Sequence, residues 1–279
     1  MKNVIIYGGG STGEKLFLQF QAEKEYHIIC FADSSPSMQN KQKFNLSVVA
    51  PKQIPDYDFD YIVIATMTGW EEVTKMLVND FNIQRDKIIT KYVEISIEAR
   101  ITFLKNYAKL VYEKNMPGNV AEGGVFQGEF AKYINKYFFD RKLYLFDTFE
   151  GFDNRDKKKE ASFFEEGELY KYKTNIQLVE SKLLHKDNCI IKPGYFPESA
   201  NDVDDEFVFV NLDFDLYNPT LSGLEFFYPK MIDGGVILVH DYFSELYKGV
   251  KSGVDYFLKE KGIKYMMPIG DGVSVAIIK

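Results

Sequence analysis

Residues 206–242, EFVFVNLDFDLYNPTLSGLEFFYPKMIDGGVILVHDY, read as strand, helix, strand. Phe207, Val208, Phe209 and Val210 form an unbroken apolar run, the pattern of a parallel strand covered on both faces. Asp213 and Asp215 interrupt it. Asn218 is placed to cap a helix with Pro219 at its first position, where a missing N–H costs nothing. Leu221, Leu224 and Phe227 or Tyr228 give the helix its apolar stripe, and Asp233-Gly234-Gly235 supplies a stop. Val236 to Val239 make a second buried strand, which also ends in polar residues, His240 and Asp241.

A strand–helix–strand unit sets its two strands parallel, with both carboxyl ends on one edge of the sheet. Neighbouring strands lie about 4.8 Å apart. Asp213 and Asp241 are therefore expected to face one crevice, where open α/β sheets bind ligands. Like charges that close repel unless a cation lies between them or they share a proton. Oxygen donors on rigid strand ends suit a hard divalent ion such as Mg²⁺. The plainer alternative is that these acids cap helices or face water.

The rest of the chain fits a protein of two α/β units. Its 279 residues suffice for two domains, with 46% hydrophobic and 27% charged residues. A net charge of −7 disfavours a nucleic-acid partner. No apolar run reaches the length of a membrane span, and MKNVIIYGGG passes from apolar run to glycines without a cleavage site. Cys30 and Cys189 each lie in or beside an apolar run, so two buried thiols in a reducing cytoplasm are expected.

At the amino end, Val4–Tyr7 is a strand, and Gly8-x-Gly10-x-x-Gly13 follows at a strand-to-helix turn, a spacing that brings backbone close to a phosphate. HIICFAD ends in Asp33, suited to a ribose hydroxyl. YIVIAT (61–66) is read as the third strand and KIIT (87–90) as the fourth. We place a small Rossmann-like module at 1–94. It either binds a nucleotide or serves as structure, seating a substrate or a partner subunit. Residues 94–114 then form a helix with Ile97, Ile101, Leu104, Ala108, Val111 and Tyr112 on one side, packed on the second domain (95–279) or at a homo-oligomer interface.

In the second domain, a strand stops at Glu122 and Glu122-Gly123-Gly124-x-x-x-Gly128 opens a helix. KLYLFD ends in Asp147, followed by Thr148. An acid at that strand tip can accept hydrogen bonds from both hydroxyls of a ribose. The charged stretch 153–175 is either a solvated loop or a lid carrying Phe163, Phe164, Tyr170 and Tyr172 over the site. CIIKPGYFPES is a further strand with Gly194 and Ser199 beyond it. Residues 244–261 are an amphipathic helix, and KYMMPIG and GVSVAIIK form an antiparallel hairpin closing an otherwise parallel sheet.

AEGGVFQGEFAKYI, LYLFDTFEGF, the 211–242 stretch and YKGVKSGVDYFL together resemble the macrocin O-methyltransferase (TylF) family. The resemblance covers about the last two thirds of the chain. It implies a class I methyltransferase fold using S-adenosylmethionine (SAM), held by Glu122, Gly123, Gly124, Gly128, Asp147 and Thr148. It also implies a divalent metal, Mg²⁺ or alternatively Mn²⁺, on Asp213 and Asp241, with Asp215 as general base. The acceptor it implies is a hydroxyl of a sugar, a nucleotide sugar or a polysaccharide precursor. Where the family often carries another acid, this chain has His240. Imidazole suits Mn²⁺, Fe²⁺ or Zn²⁺ better than Mg²⁺ and can also serve as a base. Two rivals stay open: an NAD-using nucleotide-sugar oxidoreductase or epimerase built on Gly8–Gly13, and a binding protein with an inactive methyltransferase fold.

Overall fold

The computed structural model describes residues 1–66, 69–157, 174–244 and 247–279. It separates into two compact units, Met1–Glu98 and Ala99–Lys279. The aromatic residues proposed for a lid, and positions 245–246 of the helix predicted over 244–261, lie outside the described residues.

The first unit contains β1 (Lys2–Tyr7), α1 (Ser11–Glu23), β2 (Tyr26–Ala32), β3 (Gln42–Lys43), β4 (Leu46–Val49), β5 (Tyr61–Ile64), α2 (Trp70–Asn79) and β6 (Ile88–Ile89). The sheet order is β3-β4-β2-β1-β5-β6. All neighbours are parallel except the β3–β4 hairpin. Alternation along β1 covers both faces: Val4 and Ile6 enter one core with Leu16, Phe17 and Phe20 of α1, and Ile5 and Tyr7 enter the other with Leu77 of α2. YIVIAT is therefore the fifth strand in chain order. The sequence reading passed over β4 because just two of its residues, Val48 and Val49, pair with β2, inside an otherwise polar stretch.

The glycine loop after β1 is tied to its own unit. A Cβ on Gly13 would stand 2.0 Å from the Gly8 carbonyl oxygen, and Gly8 itself has φ +115°. Asp33 spends both carboxylate oxygens locally, accepting from Gly9 N at 2.7 Å and Ser35 N at 2.8 Å. Its visible role is to pin the loop.

The second unit is entered along α3 (Lys91–Glu113). It continues with β7 (Asn119–Gly123), α4 (Ala131–Tyr137), β8 (Leu143–Asp147), α5 (Asn154–Lys157), α6 (Ile176–Lys182), β9 (Cys189–Pro193) and β10 (Phe207–Leu212). After these come α7 (Tyr217–Phe227), β11 (Met231–Val239), α8 (Lys248–Lys261), β12 (Met267–Pro268) and β13 (Val275–Ile278). The seven strands run β12-β13-β11-β10-β7-β8-β9. Strands β11, β10, β7, β8 and β9 are mutually parallel, and β13 is antiparallel to β11. The chain reverses direction across the sheet between β7 and β10, which leaves a crevice at their carboxyl ends.

One face of this sheet carries α7 and α8, whose Leu224, Phe227, Val250, Val254 and Phe257 meet Phe207, Val210 and Leu212. The opposite face carries α3, α4 and α6, whose Leu104, Ala108, Ile134 and Val179 meet Val208 and Phe209. Val208 and Phe209 share a face because the register slips between Phe207 and Phe209.

Local readings of 206–242 need three corrections. Helix α7 starts at Tyr217 with Leu216 as its cap residue, so Pro219 sits inside the first turn and Asn218 is no cap; its amide donates to Asp156 at 2.9 Å. The helix has ended by Tyr228-Pro229, and Asp233-Gly234-Gly235 lies within β11. Gly234 takes φ +79° there, and Tyr107 donates to its carbonyl at 2.8 Å, so these glycines shape an irregular strand entry instead of a helix stop. Cys30 is buried, but Cys189 is only half-buried.

Candidate active site

The site grows out of strand register. Asn211 pairs with Leu238 on one side and Glu122 on the other, and Glu122 pairs with Leu145. This row crosses four strands, apolar at its ends and polar in the middle. Asn211 is 0% exposed and Glu122 2%. Their amide and carboxylate join at 2.9 Å.

Residues two apart on a strand share a face, so Asp213 follows Asn211 and His240 follows Leu238 on the side covered by α3. Arg100 of α3 enters there. Its Nη2 donates to Asn211 Oδ1 at 2.9 Å and to Asp213 Oδ2 at 3.0 Å. Its guanidinium lies 4.1 Å from the Phe130 ring centre. The sequence reading missed Arg100, which belongs to no strand-tip motif. The available signal was a cation in a helix whose same-side neighbours, Ile97, Ile101 and Leu104, were already assigned inward.

The same register sets His240 beside Asp213. Backbone bonds lock the approach: His240 N donates to Leu212 O at 2.9 Å and Asp213 N to Gly123 O at 2.8 Å. His240 Nδ1 stands 3.0 Å from Asp213 Oδ1 and 3.0 Å from Asp241 Oδ2. The ring keeps 20% exposure, and both contacts are ion pairs when the imidazole is protonated. Strand alternation alone would turn Asp241 to the other face; its φ of +61° breaks the alternation. Asp215 is also left-handed, φ +64°. One ligand atom each of Asp213, His240 and Asp241 falls within 4.8 Å of the others.

Electrostatics follow from this crowding. Burial works against a charged Asp213, but His240 and Arg100 hold its carboxyl far below the ordinary range. Burial raises Asp215 well above its ordinary value, and the nearby charges of Asp241 and Asp213 add to it. A hydrogen bond between Asp215 and Asp241 acts in the same direction, as for two acids sharing one proton. Burial and Arg100 oppose a charged His240, yet Asp213 and Asp241 together raise it to about 10. Burial lifts Glu122 to about 8, and its buried Oε2 has no hydrogen-bond partner among the described residues.

The glycine loop packs on this cluster. A Cβ at Gly123 would strike the Phe214 ring at 2.3 Å, and one at Gly124, φ +82°, the Asp213 carbonyl at 2.0 Å. Gly128, φ +77°, faces Val179 at 3.1 Å. Each glycine thus has a reason internal to the chain. Asp147 accepts from Phe126 N at 2.8 Å and Phe149 N at 2.7 Å, so it braces the loop. Thr148 donates to Gly151 O at 2.6 Å and closes a local turn. Gly194 N donates to Asp147 O at 2.9 Å, and the buried Ser199 hydroxyl nearby has no partner among the described residues.

Strand order, the reversed last strand and acids at the tips of β7, β8, β10 and β11 converge on one family, and the family model for macrocin-O-methyltransferase (TylF) matches residues 82–279. The chain belongs to the macrocin-O-methyltransferase family. Residues 1–89 match a second family model, the C2185-like N-terminal domain. The mycinamicin III 3''-O-methyltransferase of Micromonospora griseorubida is 27% identical over 158 residues, covering 51% of this chain. The match spans 62% of that relative's own length. Among solved structures, the O-methyltransferase NovP is similar with a TM-score of 0.54 and 22% identity, over 65% of this chain and 79% of that one. The calicheamicin methyltransferase CalS11 has a TM-score of 0.55 and 14% identity, over 75% and 90% of the two chains. At those identities the structures speak for the fold, which is that of a class I methyltransferase.

Proposed function

We propose that this TylF-family chain is a SAM-dependent O-methyltransferase, assisted by a divalent cation, acting on a hydroxyl of a sugar or a sugar-containing precursor. The observation that carries the reading is the convergence of Asp213, His240 and Asp241, with Asp215 against them, at two adjacent strand tips, beside a glycine loop and a buried Glu122 oxygen that has no partner among the described residues. The family match and the O-methyltransferase name of its relative support transfer to a hydroxyl oxygen.

The residues fit both groups. Glu122, Asp147 and the Gly123–Gly128 backbone would hold SAM, with Thr148 shaping the turn behind Asp147. Asp213, His240 and Asp241 would hold the cation, since anionic oxygens and a ring nitrogen meet at one point. When bound, SAM supplies an electrophilic methyl group, and the cation supplies positive charge that favours the acceptor's alkoxide form.

The chain's own part is positioning and proton transfer. Asp215 would receive the proton that the acceptor hydroxyl gives up when it is methylated, so that the acceptor leaves as a neutral methyl ether. A carboxyl held above its usual range is a stronger base once deprotonated. His240, wedged between two acids through Nδ1, belongs to the cation side of the site instead of the base position.

The test is a screen of nucleotide sugars with methyl-labelled SAM, with and without chelator. Asp215→Asn should keep SAM affinity in calorimetry and lose transfer. Full transfer by that variant would refute the assignment, and binding of NAD but not SAM would refute the class of reaction.

A further inference from the structure

We infer that the cation site selects a first-row transition metal of the Mn²⁺ or Fe²⁺ type over Mg²⁺, because His240 contributes Nδ1 as a ligand. The inference rests on the metal-assisted reading above.

Geometry is the first support. Octahedral ligands at about 2.0–2.1 Å, the distance Mg²⁺ also demands, lie roughly 3.0 Å apart, so this geometry bears on whether Nδ1 is a ligand and the donor chemistry on which ion it selects. Nδ1 stands 3.0 Å from each of the two carboxylate oxygens. The nitrogen therefore occupies a ligand's position relative to both acids.

The neighbouring contacts narrow the donor set. Arg100 engages Asp213 Oδ2 at 3.0 Å, which leaves Oδ1 as the oxygen facing His240. Asp213 is thereby kept from the two-oxygen grip that large calcium-like ions exploit. His240 is not free to withdraw, because its backbone N–H is fixed to Leu212 O at 2.9 Å as a continuation of the sheet ladder. A Mg²⁺ ion would have to accept the imidazole or coexist with it at contact distance. Imidazole prefers Fe, Ni, Cu and Zn, whereas carboxylate and water suit Mg, Ca and Mn. Two carboxylate oxygens with one imidazole nitrogen draw one ligand from each list, which suits the early first-row ions: Mn²⁺ shares the oxygen donors of Mg²⁺, and Fe²⁺ also takes imidazole.

The experiment uses the full chain, stripped of metal by chelator and reloaded with Mn²⁺. Pulsed electron paramagnetic resonance should show coupling between bound Mn²⁺ and a ¹⁴N nucleus. In competition, Mg²⁺ should displace Mn²⁺ only at about hundredfold excess or more. His240→Asp should lose the nitrogen coupling and weaken Mn²⁺ relative to Mg²⁺ by about 10–100-fold, the scale on which even outer-ligand changes act. The wild-type coupling decides the matter even if that variant fails to fold. Mn²⁺ that binds in an Asp213-dependent way without nitrogen coupling, or that Mg²⁺ displaces at parity, overturns this inference and leaves the metal-assisted reading intact. Failure of both ions to bind at millimolar concentration sinks the two together.

Discussion

Replacing Arg100 by Met keeps much of the side-chain bulk and deletes the charge that holds the second unit's buried polar row together. One nitrogen, Nη2, supplies Asn211 Oδ1 and Asp213 Oδ2 at 2.9 and 3.0 Å. Without it, the oxygen of an amide that is 0% exposed loses its donor, a loss of about 1–3 kcal/mol. Asp213 loses one of its two positive neighbours. Breaking a fully buried ion pair costs about 3–5 kcal/mol. Here the Asp213 side chain retains 23% exposure and keeps His240 at 3.0 Å, so the lower end applies. The stacking on Phe130 is partly replaced by the methionine. The terms overlap, and the expected total is about 3–4 kcal/mol. For a unit of roughly 150–250 residues this is a fall in melting temperature of about 6–16 °C. Calorimetry or far-ultraviolet circular dichroism should follow it, because the single tryptophan, Trp70, lies in the first unit. The cycle with Asp213→Asn should show coupling of about 1.5–3 kcal/mol. A melting shift below about 2 °C, or additive single variants, would refute the account of Arg100 as the counter-charge of Asp213.

Glu122 gives a pH test. Its pKa rises from 4.5 to about 8 on folding, so between those values the native state binds more protons than the unfolded one. Stability must then fall as pH rises from about 5 to 8, with this group contributing at most about 1.4 kcal/mol per pH unit. Glu122→Gln retains a partner for Asn211 and should flatten that slope; an unchanged denaturation profile would show that Glu122 is charged in the native state. Gly124→Ala should destabilise the second unit by more than the roughly 1–3 kcal/mol of its left-handed backbone, since the new carbon meets the Asp213 carbonyl at 2.0 Å. A soluble variant with wild-type melting would show that the loop is not seated on β10 as described.

The strands that bear the site were legible because burial on both faces writes itself as uninterrupted apolar runs, as in 207–210 and 236–239. Their tips were legible because polar residues end those runs. What the sequence concealed was register. Nothing in 206–242 says that Asp213 sits opposite His240, or that left-handed backbone returns Asp241 to the same side. Arg100 was hidden for a related reason: it lies 113 residues from Asp213, on a helix read only for its apolar stripe. The glycines stand at a strand-to-helix turn, but their spacing cannot distinguish room left for a cofactor from room taken by Phe214, Asp213 and Val179. The short strand β4 was lost because a two-residue pairing leaves no periodicity to detect.

The backbone at Asp215 and Asp241 also governs how this site can be dissected. Both residues occupy a conformation that aspartate and asparagine tolerate and most other side chains resist. An alanine scan would therefore mix a conformational penalty of about 1–2 kcal/mol with whatever chemistry is lost. Asparagine changes the charge and leaves the turn undisturbed. Glycine relaxes the turn and removes the carboxylate. Comparing those two substitutions at each acid would separate the shape of the strand tips from the reactivity they carry.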